Sequence, residues 1–182
     1  QGRAKDGIDS TDPALLKMIY LHKRKEFSIS EYFNELKVVP VAVSYEFDPN
    51  DINKAIECAK TNQGKDYIKS SNEDISSIAK GITDKKGDVS INVGSPLNFV
   101  SDDSDQISDQ ITKSIRNLYE PHSTNYAAYI KSKNEILDHS FSESKINESI
   151  NYLESRAMQL TKHEKEELYS QYYQCLIKKM GG

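Results

Sequence analysis

Lys37-Val38-Val39-Pro40-Val41-Ala42-Val43-Ser44-Tyr45 is the stretch on which the fold turns. It is β-branched and almost continuously apolar, the pattern of a strand buried on both faces in a sheet covered by helices. Pro40 withholds one ladder donor, which ordinarily places such a strand at an edge or beside a bulge. A second strand is expected at Gly87-Asp88-Val89-Ser90-Ile91-Asn92-Val93-Gly94. There Val89, Ile91 and Val93 alternate with polar residues and so share one face. Ser95-Pro96-Leu97 stops it.

Around these two runs the apolar spacing is helical. Thr11 or Asp12 as cap, with Pro13 in the first turn, starts a helix over residues 13–25, with Leu15, Leu16, Met18, Ile19 and Leu21 on a broad apolar face. A short helix is expected over 30–36. Between the strands, helices are expected over 51–61, with Ile52, Ala55, Ile56 and Ala59 inward, and over 73–82, separated by a polar loop. Four more follow, over 103–119, 124–137, 144–160 and 162–180, with no further strand signal. Helix, strand, helices, strand, helices predicts an α/β fold with a mixed or parallel sheet joined by crossover helices. Two strands alone make no stable sheet, so partner strands are expected upstream. The organisation predicted is a partial α/β domain over residues 1–120 and a helical C-terminal tail over 121–182.

A chain of 182 residues can bury a core of its own. Its net charge of −4 argues against general nucleic-acid binding. Lys outnumbers Arg 20 to 4, a compositional habit that removes meaning from most single lysines. Cys58 and Cys175 stand far apart, with neither CxxC nor histidine at metal-ligand spacing, and read as two plain thiols in a reducing compartment. No metal site is expected. No run of about 18 apolar residues is present.

Candidate chemistry begins in the opening turn, Gln1-Gly2-Arg3-Ala4-Lys5-Asp6-Gly7. Its glycines permit sharp backbone, and an arginine fork with a lysine point charge suits phosphate capture. Its plain alternative is a solvated loop. Glu46, just past the first strand, stands where α/β sheets face their ligand crevice and could orient a polar group; the simpler reading is a solvated strand-end carboxylate. Lys23-Arg24-Lys25 could touch anionic lipid head groups, or merely complement a helix C-terminus. His22, His122, His139 and His163 have no spacing that supports a Ser-His-Asp or Cys-His arrangement, and no catalytic residue is assigned. The tyrosines of the tail, at helical spacing, read as half-buried packing.

Taken in order, four pieces carry a resemblance. Gly2-Arg3-Ala4-Lys5-Asp6-Gly7, then a helix carrying Leu16-Lys17-Met18, then Val39-Pro40-Val41-Ala42-Val43-Ser44-Tyr45-Glu46, then Gly87-Asp88-Val89-Ser90-Ile91-Asn92-Val93-Gly94-Ser95-Pro96-Leu97 resemble the second half of the glycerolipid acyltransferase domain. That family comprises glycerol-3-phosphate and 1-acylglycerol-3-phosphate acyltransferases. The resemblance covers residues 1–120. It implies that Arg3, Lys5 and Gly2 bind the acceptor's phosphate and that Pro40 and Glu46 belong to the wall of the site. It also rationalises a proline inside a strand signal. Ala4 replaces the family's usual serine, and Val93 stands where phenylalanine is frequent.

The family's catalytic block, His-x-x-x-x-Asp, does not occur in these 182 residues. There the histidine acts as general base on the acceptor hydroxyl, because an unassisted hydroxyl is a weak nucleophile. The resemblance therefore implies an upstream segment carrying that block, without which the chain is inactive. It implies an acyl-CoA or acyl-carrier-protein thioester as donor substrate, with no separate cofactor. The implied acceptor is a glycerol phosphate or lysophospholipid, at the cytoplasmic face of a membrane reached through that upstream part. The alternative expectation is a non-enzymatic α/β binding module with its helical tail as a partner surface.

Overall fold

A computed structural model describes residues 10–180. Among them are eight helices and two strands, in the order α1 (Pro13–Tyr20), α2 (Ile29–Leu36), β1 (Val41–Tyr45), α3 (Asp51–Asn62), α4 (Glu73–Thr83), β2 (Val89–Val93), α5 (Ser104–Leu118), α6 (Ser123–Lys133), α7 (Glu143–Ala157) and α8 (Lys162–Met180). The protein is thus mixed α/β with a helical C-terminal region. Helix α1 starts where expected, with the Asp12 carboxylate accepting from Ala14 N–H, but it stops at Tyr20. Residues 21–27 continue as hydrogen-bonded turns, closed by the Tyr20 hydroxyl donating to the Phe27 carbonyl at 2.5 Å. Helix α2 carries a full capping box, in which Ser28 and Glu31 satisfy each other's backbone N–H groups.

The two strands pair directly with each other, and antiparallel, with Val41 opposite Val93, Val43 opposite Ile91 and Tyr45 opposite Val89. Where a mixed or parallel sheet joined by crossover helices is expected, the pair among the described residues is antiparallel, so the helices between the strands are not a crossover between parallel neighbours. The reason lies in the connection. Two helices, α3 and α4, separate the strands and return the chain to the end of β1 it left, where Glu46 N–H donates to the Asp88 carbonyl and Phe47 N–H to the Lys86 carbonyl. The first strand is also not buried on both faces, because its burial alternates.

Two apolar cores flank the sheet. Leu16 of α1, Ile29 and Phe33 of α2, Phe99 of the loop after β2, and Ile107 and Ile111 of α5 form one. The other joins Ala55 of α3 to Ala127 and Ala128 of α6, Leu153 and Ala157 of α7, and Leu168, Tyr172 and Tyr173 of α8. Small residues on α3 and α6 let α8 pack against both helices and α7 against α6.

The sheet itself is inside out. Ala42 and Ser44 of β1 are buried, and Ser90 and Asn92 of β2 are half-buried, so small and polar residues face the helices. Val41, Val43, Tyr45, Val89, Ile91 and Val93 face outward, each 42% to 65% exposed. Alternation in a one-sided sheet normally places the apolar set on the covered face. Here that set is left open. Ile75, Ile78 and Ile82 of α4 are likewise exposed, and α4 buries no residue.

Candidate functional site

The residues expected to form the site divide into three groups by position. Gly2, Arg3 and Lys5 lie outside the described residues. Pro40 is buried immediately before β1. Its carbonyl accepts from Gly94 N–H at 2.9 Å, extending the ladder past Val41 and Val93. A Cβ on Gly94 would stand 2.9 Å from Pro40 Cγ and 3.0 Å from Leu118 Cδ1, so only glycine allows this approach. Pro40 has no N–H to return to the Gly94 carbonyl, so this pair is held by one bond and not two, which proline tolerates at a strand's first residue. The Val39-Pro40-Val41 block and the Ile91-Asn92-Val93-Gly94-Ser95-Pro96 block therefore meet at one seam.

Glu46 is buried, not solvated. Its Oε1 stands 2.7 Å from Lys145 Nζ of α7 and accepts from Ser123 Oγ of α6 at 3.3 Å. Its Oε2 accepts from Asp88 N–H at 3.1 Å, and its backbone carbonyl accepts from Thr124 Oγ1 at 2.6 Å. Burial pushes this carboxyl up, but the hydrogen bonds from Lys145 and Asp88 and the lysine charge outweigh it, so it titrates below its ordinary value. The same pairing holds Lys145 above its ordinary value. Gly87, at φ +65°, allows the fit; a Cβ there would stand 2.4 Å from Glu46 Oε2. Both oxygens are spent on the protein, so Glu46 ties the sheet end to α6 and α7.

Beside it lies a contact the sequence did not reveal. Ser44 Oγ is 3.2 Å from His122 Nε2, with both residues buried. The pair has the makings of a nucleophile and base, but its polarity is wrong. The Ser44 hydroxyl has one proton, and it goes to the Glu120 carbonyl at 2.7 Å. His122 Nε2 must therefore be the donor to Ser44, and a protonated Nε2 cannot deprotonate that hydroxyl. The available signal was parity: Ala42, Ser44 and Glu46 share a face, and the polar members mark it as the one turned to the helices.

A second buried polar centre organises α3, α7 and α8. Asp51, fully buried in the first turn of α3, is gripped by Arg156 of α7 through Nε, at 3.1 and 3.2 Å from its two oxygens, and through Nη2. The Tyr172 hydroxyl donates to Asp51 Oδ2 at 3.0 Å and accepts from Asp48 N–H at 3.0 Å. Gln171 Nε2 donates to the Asp51 carbonyl at 2.8 Å. Burial, followed by the Asp51 charge, drives Tyr152 up to about 12, and the same causes raise Tyr172 well above its usual range. Each of these groups has its partners within the protein, as a structural lock requires. Neither cysteine is in a disulfide, and burial pushes the Cys175 thiol up to about 11, which disfavours its thiolate.

Among the described residues no group of three or more His, Cys, Asp or Glu side chains could hold a metal ion. None of the described helices is long and apolar enough to cross a membrane. No protein-family model, curated protein or solved structure matches this chain.

Proposed function

We propose that the natural protein carrying these residues is a glycerolipid acyltransferase. It moves a fatty acyl group from an acyl-CoA or acyl-carrier-protein thioester to a hydroxyl of a glycerol phosphate or lysophospholipid. A base supplied by a His-x-x-x-x-Asp block outside these 182 residues takes the hydroxyl proton. The acceptor oxygen then attacks the thioester carbonyl, a C–O bond replaces the C–S bond, and the thiol leaves with a proton. The role of this chain is to hold the acceptor phosphate with Arg3 and Lys5 and to shape the site wall around Pro40.

The observation that supports this reading is the Pro40–Gly94 seam, which brings into contact two of the blocks that together carry the resemblance. The open apolar face of the sheet agrees with it, since a domain that continues beyond these residues would cover that face. A second reading, a non-enzymatic α/β binding module, is favoured by one observation: Glu46, Ser44 and His122 are all spent on internal hydrogen bonds.

The test is acyl transfer by the natural protein from a labelled acyl thioester to lysophosphatidate or glycerol phosphate. The expected result is an acylated product, and an Arg3→Ala variant whose KM for the acceptor rises roughly 10- to 100-fold, the loss of a charged hydrogen-bonded contact of about 1.5–3 kcal/mol. Absence of transfer, or an unchanged acceptor KM in the variant, overturns it.

A further inference from the structure

One segment combines exposed apolar side chains with concentrated positive charge. Residues 13–25 contain Lys17, Lys23, Arg24 and Lys25 and no acidic residue, in a chain of net charge −4. Leu16 points into the core, and Tyr20 packs against it. The helical repeat then turns Met18 and Leu21 away from the body, and they are 71% and 58% exposed. The acidic residue that follows, Glu26, pairs with Lys23 at 2.9 Å. Among the described residues Lys17, Arg24 and Lys25 make no ion pair. The Tyr20–Phe27 hydrogen bond fixes the turn that presents the cations, so the arrangement is built in advance.

From this juxtaposition we infer that α1 and the turn after it form a docking surface for an anionic lipid bilayer. Met18 and Leu21 enter the head-group boundary while Lys17, Arg24 and Lys25 meet lipid phosphates. Apolar insertion plus electrostatic attraction is the combination by which interfacial segments hold anionic membranes. Charge complementarity selects this occupant over a protein strand or helix, which the uncharged outer face of the sheet would suit better. The inference stands on exposure and charge, and needs no acyltransferase activity.

The test is flotation of the 182-residue chain with vesicles of phosphatidylcholine, with and without 30% phosphatidylglycerol, a probe composition of roughly one anionic lipid in three. The chain should float with the anionic vesicles only and be released by high salt. Arg24→Glu and Lys25→Glu should each weaken partitioning about fivefold or more. Because the chain has no tryptophan, Met18→Trp gives a single reporter. Its emission should shift to the blue on anionic vesicles, while Met158→Trp, at a remote position 75% exposed, should not respond. Equal binding to neutral vesicles, no binding, insensitivity to the charge reversals, or a silent Met18→Trp reporter would each overturn the inference. So would a shift from an Ile91→Trp reporter on the sheet in place of Met18→Trp.

Discussion

Glu46 shows how a residue's meaning changes with its neighbours. As sequence it is a carboxylate after a strand, equally readable as a ligand-orienting group or as a solvated end. In the fold it receives Lys145, Ser123 and the Asp88 amide, which come from far along the chain. No local pattern encodes those distances. The pairing has a pH signature. Because the folded carboxyl titrates below its unfolded value, the folded state binds fewer protons. Its contribution is present above the ordinary carboxylate pKa and is lost as pH falls through the lowered one. Glu46→Gln should therefore cost about 1.5–3 kcal/mol in urea denaturation at pH 7. The gap to the parent chain should narrow at pH 3; a gap independent of pH would show that the carboxylate charge is not what holds the sheet end.

At the scale of elements, most of the secondary structure was legible, because apolar periodicity and capping act locally. Thr11 or Asp12, with Pro13, announces α1, and the alternation of Val89, Ile91 and Val93 marks β2. Strand direction was not legible. It follows from how α3 and α4 return the chain to Glu46, a matter of long-range packing. The coupling of α3 to the C-terminal helices was equally hidden; of the inward face expected at Ile52, Ala55, Ile56 and Ala59, the two alanines are buried and the isoleucines only half-buried. Asp51 makes that coupling, drawing Arg156 of α7 and Tyr172 of α8 onto the first turn of α3. Asp51→Ala should cost about 3 kcal/mol by chemical denaturation, since it strands the Arg156 charge and the Tyr172 hydroxyl. Arg156 keeps some access to water, which holds the loss at the lower end of the range for buried pairs. A loss under 1 kcal/mol would remove Asp51 from the lock.

At the scale of the whole molecule, the sheet is the decisive feature. Its polar and small residues are covered, and its valines, isoleucine and tyrosine are open. The sequence announced an apolar strand face needing cover, and the fold of these residues leaves it uncovered. Of the candidate site, the Pro40–Gly94 seam emerges from blocks legible in sequence, whereas the roles of Ser44 and His122 required coordinates. The acyltransferase reading makes the open face part of a larger α/β core. The binding-module reading makes these residues a finished domain. Light scattering and binding of a hydrophobic dye, followed through a thermal melt of the 182-residue chain, separate the two most directly. The account predicts dye binding before the transition and association that Ile91→Lys suppresses, as expected for an open apolar sheet. A dye-silent monomer that melts in one cooperative step would contradict it.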